Sequence, residues 1–270
     1  MGDLCAVVLA AGEGRRLRPL TDTVPKALCP VGNVPLLDLA LARVAGFGLS
    51  GSADVAVNAS YLGGQVVAHT GDRAHLSVEP DHPLGTSGGL GNLRDWIGGR
   101  GVLVGNADAY LAGGDPRDLL EGWDGETVRL LGQPVSETRP GLFSGHRFVG
   151  LSLLPWRRVR DLDATPTELV HTVWRPAEAD GELEVVPFDG VFFDTGTPRD
   201  YLAANLHAAG GGNLVAGTVT GRCVRSVVGP GATVAGDVTD SVVWPGAVVA
   251  AGERLDHVIR AGRQLTVPGR

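Results

Sequence analysis

The sequence predicts an α/β fold: a mixed, mainly parallel sheet flanked by helices over residues 1–209, then a short left-handed parallel β-helix over 213–270. Three observations carry this. Short apolar, β-branched runs alternate with helix-like stretches through the first three-quarters of the chain, which is the pattern of βαβ units around a largely parallel sheet. A glycine triplet, Gly210-Gly211-Gly212, then interrupts it. Beyond the triplet isolated Val and Leu residues recur about every six positions between small residues, the hexapeptide period of a stacked parallel β-helix.

The elements follow in order. Ala6-Val7-Val8-Leu9-Ala10 is the first strand, and β-branched runs place others at Asp54–Asn58, His75–Glu79, Val102–Asn106, Val128–Gln133, Phe148–Leu154, Leu183–Pro187 and Val191–Asp194. Helices are expected between them at Pro35–Phe47, Gly63–His69, Thr86–Trp96, Pro116–Glu121 and Pro166–Trp174, with a last one at Pro198–Ala208. That last helix has both end signals, Thr197 as N-cap with Pro198 at N1 and the glycine triplet as its stop. In the tail, Val228 and Val234 repeat the spacing of Val242 and Val248, and Gly229-Pro230-Gly231-Ala232 looks like the same turn as Trp244-Pro245-Gly246-Ala247. The tail is long enough for roughly three coils.

Composition narrows the function classes. The chain has 270 residues, 43% apolar and 20% charged, with a formal net charge of −7. That balance argues against a nucleic-acid or membrane-surface partner, and the longest apolar runs are far too short to span a bilayer. Met1-Gly2-Asp3 leads straight into a strand without a basic n-region, so no signal peptide is expected. Ala6 stands where a myristoylation motif needs Ser or Thr. Three scattered cysteines, Cys5, Cys29 and Cys223, lack metal or redox spacing and fit reduced thiols in the cytoplasm. Of the 23 basic residues only Lys26 is a lysine. In a chain that otherwise uses arginine, a lone lysine suggests a site that needs a compact ammonium, although survival at a solvated loop is the plainer alternative.

The first strand opens into Leu9-Ala10-Ala11-Gly12-Glu13-Gly14-Arg15-Arg16-Leu17-Arg18-Pro19-Leu20. Glycines after a strand let backbone N–H groups approach an anion, and the arginines add charge. A Walker A loop is excluded because Gly-Lys-Ser/Thr is absent. The dinucleotide fingerprint is excluded because Leu17 occupies the place of its third glycine. The longer string, continued by Thr21, Pro25-Lys26 and Asn33-x-Pro35-Leu36-Leu37, resembles the signature of the sugar-1-phosphate nucleotidyltransferases. The resemblance recurs in order at Val57-Asn58-Ala59-Ser60-Tyr61-Leu62, at Glu79 with Pro83-Leu84-Gly85-Thr86-Ser87-Gly88-Gly89, at Val104-Gly105-Asn106-Ala107-Asp108, at Phe148-Val149-Gly150 and at Phe193-Asp194-Thr195-Gly196-Thr197-Pro198. It covers about residues 4–209, and hexapeptide tails are common in the family.

The resemblance implies a Rossmann-like nucleotide-diphospho-sugar transferase fold and an enzyme that joins a sugar 1-phosphate and an NTP, releasing pyrophosphate. It implies Arg16, Lys26 and Asp108 as the catalytic set. Leu9, Ala10, Ala11, Gly12, Gly14, Arg15, Glu79, Gly85 and Thr86 are implied at the nucleotide, and Asn106, Gly150 and Glu168 at the sugar phosphate. Asp108 and Asp194 are implied as ligands of Mg²⁺, which suits hard carboxylate oxygens and substrate phosphates. Two positions depart from the pattern: Arg15 replaces a small Ser or Thr, and Ala107 replaces the glycine of Asn-Gly-Asp.

Single residues have plainer readings too. Glu79 reads either as a solvated turn acid or as a base-recognising group. In the second case its acceptors match guanine's N1–H and N2–H₂, favouring GTP and hence mannose-1-phosphate guanylyltransferase activity. Glu168 reads either as a ligand of sugar hydroxyls or as a first-turn acid on the helix dipole. The rivals are uridylyl or thymidylyl transfer on the same scaffold, a catalytically silent nucleotide-sugar-binding regulatory subunit, and a hexapeptide acyltransferase using His257, the tail's only histidine. The tail is expected to pack on the domain or to form the interface of a homo-oligomer.

Overall fold

The computed structural model describes residues 3–80, 82–136 and 140–270; Met1 and Gly2, on which the leader and lipidation readings fall, lie outside the described residues. The chain forms two compact units, Met1–Glu13 with Leu37–Phe192, and Gly14–Leu36 with Phe193–Arg270.

The first unit is built on a seven-stranded sheet. Its strands are β1 (Leu4–Leu9), β2 (Val55–Ala59), β3 (His75–Val78), β4 (Gly101–Asn106), β5 (Val128–Pro134), β6 (His146–Leu154) and β7 (Leu183–Pro187), in the spatial order β7-β5-β6-β4-β1-β2-β3. β1 pairs in parallel with β2 and β4, β2 with β3, and β5 with β7. Only β6 runs antiparallel to its neighbours β4 and β5. The sheet is therefore mixed and mainly parallel, as expected from the alternating pattern. Cys5, Ala6, Val7 and Val8 are all fully buried, because helices cover both faces of a central parallel strand. One core cluster joins β1 and β4 to Leu90, Leu93 and Ile97 and to Val173, Trp174 and Ala177. Val191–Asp194 is a strand, as expected, but is not one of the seven.

Two expected helices differ. Thr86–Trp96 is two helices, Gly85–Asn92 and Arg94–Ile97, with Leu93 between them. Pro166–Trp174 begins as a non-helical stretch; regular turns start only with the π-turn Val170–Trp174 and continue in helix Arg175–Ala179. The reason is tertiary hydrogen bonding. Thr167 donates its N–H to the Leu84 carbonyl at 3.0 Å and accepts from Ser87 N–H at 3.0 Å, so this backbone runs along the glycine-rich helix instead of coiling.

The second unit contains three 3₁₀ turns, Arg15–Leu17, Leu20–Asp22 and Lys26–Leu28, and a tight hairpin, Pro30–Val31 paired with Val34–Pro35. Gly32 and Asn33 at its tip both have positive φ, 57° and 66°, the type I′ geometry that suits two-residue hairpins. Helix Pro198–Ala208 starts where the end signals place it, with Thr197 Oγ1 accepting from Asp200 N–H at 3.2 Å.

The tail folds into three small sheets of parallel strands. Val227 lies opposite Val242, Thr233 opposite Val248, and Asp237 opposite Arg254. The recurring valines become buried columns: Val228 over Val243, Val234 over Val249, and Val238 over Leu255. Leu265–Pro268 ends the first of these sheets antiparallel to Val258–Ala261. Arg225, Asp240 and His257 occupy successive corners with φ of 45°, 43° and 53°. Arg225 Nε donates to Asp240 at 2.7 Å, and His257 Nδ1 lies 2.9 Å from Asp256. Among the described residues, no helix is long and apolar enough to cross a membrane.

Candidate nucleotide and phosphate site

In the second unit, Gly14 turns the chain with φ 64° and ψ 33°, a left-handed conformation that suits glycine. Its carbonyl accepts from Leu17 N–H and from Thr21 Oγ1, each at 2.9 Å. A side chain here would also crowd Lys26 Cβ and Thr21 Cγ2 at 3.0 Å. The turn packs the loop onto Lys26, which is only 7% exposed. Lys26 Nζ lies 3.7 Å from Asp194 Oδ1, and Arg16 Nη2 lies 3.5 Å from Asp194 Oδ2. Arg16 and Asp194 keep 69% and 51% of their side-chain surface exposed. Two cations thus share one carboxylate at distances slightly beyond a short ion pair, with open surface beside it. A buried ammonium is tolerated because the carboxylate compensates its desolvation. Arg15 opens the adjoining turn and is exposed.

In the first unit, the carboxyl ends of β1, β2 and β3 are joined by a chain of buried polar groups. Ala10 donates its N–H to Asn58 Oδ1 at 2.6 Å, and Asn58 Nδ2 donates to Glu79 Oε1 at 2.7 Å. Glu79 Oε2 in turn accepts from Leu84 N–H at 2.7 Å. Glu79 is 4% exposed, and burial raises its pKa against the opposing pull of the Leu84 and Asn58 hydrogen bonds. The solvated-acid reading of Glu79 does not hold. As a base-reading group it is also altered, since each oxygen already accepts from the protein. Ala10 and Ala11 are buried, whereas Gly12 is exposed with nothing within 4 Å of where a Cβ would stand. The fold leaves room for a side chain at Gly12.

Thr86 and Glu168, expected on different substrates, bind each other. Glu168 Oε2 accepts from Thr86 Oγ1 at 2.6 Å and from its N–H at 3.1 Å. Thr86 Oγ1 also accepts from Leu169 N–H at 2.8 Å. The glycines of this helix permit the approach: a Cβ at Gly88 would collide with the Thr165 carbonyl, and one at Gly89 would come 2.8 Å from Asn58 Nδ2. Gly85 likewise lies against Thr167 and Glu168.

Asn106 ends β4, and Ala107 N–H donates to the Leu9 carbonyl at 3.0 Å, tying the Asp108 turn to the end of β1. Gly150 has φ 92°, and a Cβ there would overlap the side chain of Ala109. It lies in β6 beside the register shift between Leu130 and Gly132. Asn106, Asp108 and Gly150 therefore share one corner, with Asp108 half-buried. Arg43, which the sequence did not single out, braces the corner: its Nη2 donates to the Ala109 carbonyl at 2.7 Å. Burial pushes its pKa down to about 10, so it stays charged at neutral pH. In the sequence Asn58 stands only as one residue of the Val57–Leu62 motif. Its role is invisible without its partners on neighbouring strands.

Asp108 belongs to the first unit and Asp194 to the second. Each offers hard carboxylate oxygens at a partly exposed position, a donor type that fits Mg²⁺. In the tail, Asp240, Asp256 and His257 bring possible metal-ligand atoms together. There Arg225 already engages the Asp240 carboxylate, which lowers its pKa.

Residues 5–117 match the model of the nucleotidyl transferase family. A mannose-1-phosphate guanylyltransferase of Mycobacterium tuberculosis is 36% identical over 121 residues, 43% of this chain and 33% of that protein. An N-acetylmuramate α-1-phosphate uridylyltransferase of Neisseria meningitidis is 38% identical over 109 residues, 38% of this chain and 46% of that protein. The matched region thus spans less than half the length of either relative. A Bacillus anthracis protein, crystallised with sucrose under the name glucose-1-phosphate thymidylyltransferase, shares the fold with a TM-score of 0.65 at 20% identity, covering 76% of this chain and 95% of that one.

Proposed function

We propose, starting from a chain that belongs to the sugar-1-phosphate nucleotidyltransferase family, that it joins a sugar 1-phosphate to a nucleoside triphosphate. An oxygen of the sugar phosphate forms a bond to the α-phosphorus, the bond to the β-phosphate oxygen breaks, and pyrophosphate leaves. The observation that carries this reading is the convergence of Arg16 and buried Lys26 on Asp194. It offers a compact ammonium and a planar guanidinium beside a carboxylate, the groups needed to gather two anions and stabilise charge at the transferring phosphorus. In this reading Arg16 serves the β- and γ-phosphates and Lys26 the α-phosphate or the sugar phosphate, while the sequence signature assigns the backbone N–H groups near Gly12 to the nucleotide. Asp108 and Asp194 are the carboxylates that the sequence signature assigns to Mg²⁺, an ion that would supply positive charge to offset that of the phosphates. Asn106 and Gly150 shape the sugar-phosphate side. Glu168 acts there through Thr86, as a brace.

Mannose 1-phosphate with GTP is the first pair to test, supported by the similarity to the Mycobacterium tuberculosis protein. One observation weighs against Glu79 as the group that reads guanine. Glu79 is buried and each of its oxygens already accepts from Asn58 or Leu84, which leaves it little open surface to meet guanine's N1–H and N2–H₂. We read residues 213–270 as a left-handed β-helix, supported by the buried valine columns, and place the reaction in the cytoplasm on the scattered thiols. The deciding experiment screens NTPs against sugar 1-phosphates for pyrophosphate release, with and without EDTA. Release that chelation stops and added Mg²⁺ restores is expected, and Asp108→Asn should abolish it. No release with any pair would sink the enzyme reading. Binding of nucleotide sugar without turnover would then favour the silent regulatory subunit.

A further inference from the structure

The hairpin that follows Lys26 is held by groups of the C-terminal part of the same compact unit. Tyr201 of helix Pro198–Ala208 is fully buried, and its hydroxyl donates to the Pro30 carbonyl. The same oxygen accepts from the Trp244 indole Nε1–H at 3.0 Å, and the two rings meet edge to face with centroids 6.3 Å apart. One turn along the helix, Asn205 Oδ1 accepts from Gly32 N–H at 3.0 Å. Asn33 Nδ2 donates to the Val228 carbonyl in the tail at 3.2 Å. Pro30, Gly32 and Asn33 are each gripped, four to seven residues after Lys26.

The gripping helix is also the one that follows Asp194, through Thr195, Gly196 and its N-cap Thr197. One rigid element therefore sets both ends of the Lys26–Asp194 pair. Trp244 backs that element from the tail, between two of its strands.

We propose that Tyr201, supported by Trp244, is a positioning residue for Lys26 and Asp194, which makes the tail a working part of the phosphate site. This rests on the reading above that Lys26 binds phosphate. Removing the phenol oxygen leaves the half-buried Pro30 carbonyl and a buried indole N–H each without this partner. The hairpin then shifts to re-satisfy them, and Lys26 moves with it. A displacement near 1 Å at a positioned group lowers turnover by up to about 100-fold.

Lys26 is the only lysine in the chain, so its environment can be read directly, without turnover. The full-length protein is acetylated with N-hydroxysuccinimide acetate and the peptide holding Lys26 is quantified by mass spectrometry, the α-amino group being read on its own peptide. In Tyr201→Phe and Trp244→Phe, Lys26 should acetylate about fivefold faster or more, the change in population that loss of one buried hydrogen bond gives. The kcat for pyrophosphate release should fall in step. Val238→Ala, which opens a cavity in the tail core away from these contacts, lowers Tm but should leave Lys26 labelling at the wild-type rate. Unchanged labelling in Tyr201→Phe, or an equal rise in Val238→Ala, overturns the proposal. If the labelling pattern holds but wild-type protein releases no pyrophosphate, the positioning stands and the phosphate-transfer reading falls.

Discussion

Lys26 combines burial, a carboxylate partner and a fixed backbone turn. Lys26→Ala should lower pyrophosphate release about 100-fold, the scale of losing one preorganised charge-stabilising group. Lys26→Arg should not recover more than about a tenth of the activity, since a planar fork does not replace a compact ammonium in a crowded position; steady-state kinetics on both variants checks this. Glu79 makes a second prediction. Glu79→Gln places an amide NH₂ where one of two N–H donors now points, and should cost about 1–3 kcal/mol in urea unfolding. Because burial raises the folded-state pKa of Glu79, its contribution is fully present below the ordinary carboxylate range and declines as pH rises through the raised value. The difference between wild type and Glu79→Gln should therefore shrink with rising pH from about 4.5 upward; a difference that grew over that range would contradict the assignment. At this scale the sequence was informative about residue type and silent about partners. That Glu79 mattered was legible beside Gly85. That its oxygens are taken by Asn58 and Leu84 depends on three strand ends meeting, which no local pattern encodes.

Helix Gly85–Asn92 shows what an element contributes. In an isolated helix glycine is worse than alanine by about 1 kcal/mol, yet here the glycines let the helix approach the Thr165 and Thr167 backbone. Gly88→Ala should destabilise the protein by about 1–3 kcal/mol through overpacking. Gly12→Ala, with open space around it, should leave the unfolding midpoint unchanged and raise the KM for NTP. Thermal melts paired with kinetics separate the two. Most elements were readable because strand and helix periods are local: β7 and helix Pro198–Ala208 match their expected bounds. The stretch before Val170 was not, because its N–H and carbonyl groups are claimed by Leu84 and Ser87 from far along the chain.

Across the molecule, the texture of the sequence changes at Gly210–Gly212, but compactness groups Gly14–Leu36 with Phe193–Arg270. Hydropathy marks where a pattern changes. It does not mark which distant segment a loop packs on, and so the partnership of the Lys26 loop with the tail is not legible in the sequence. A chain ending at Gly212 would leave Tyr201 without Trp244 and Asn33 without Val228. Calorimetric titration of that chain with NTP and Mg²⁺ should show binding lost or weakened at least about tenfold; full affinity would contradict a working role for the tail.

The type I′ hairpin at Gly32-Asn33 also bears on how the protein comes to be made. Asn33 bonds to a residue 195 positions later, and Gly32 to one 173 positions later. Closing such distant segments is slow, since the entropy of loop closure must be met before the contacts form. On the ribosome, Gly32 and Asn33 emerge long before Asn205 and Val228, the residues that hold them. A chain stalled before Val228 carries the cationic loop but not its full grip, so the phosphate-binding geometry proposed above would arrive only once the tail is made.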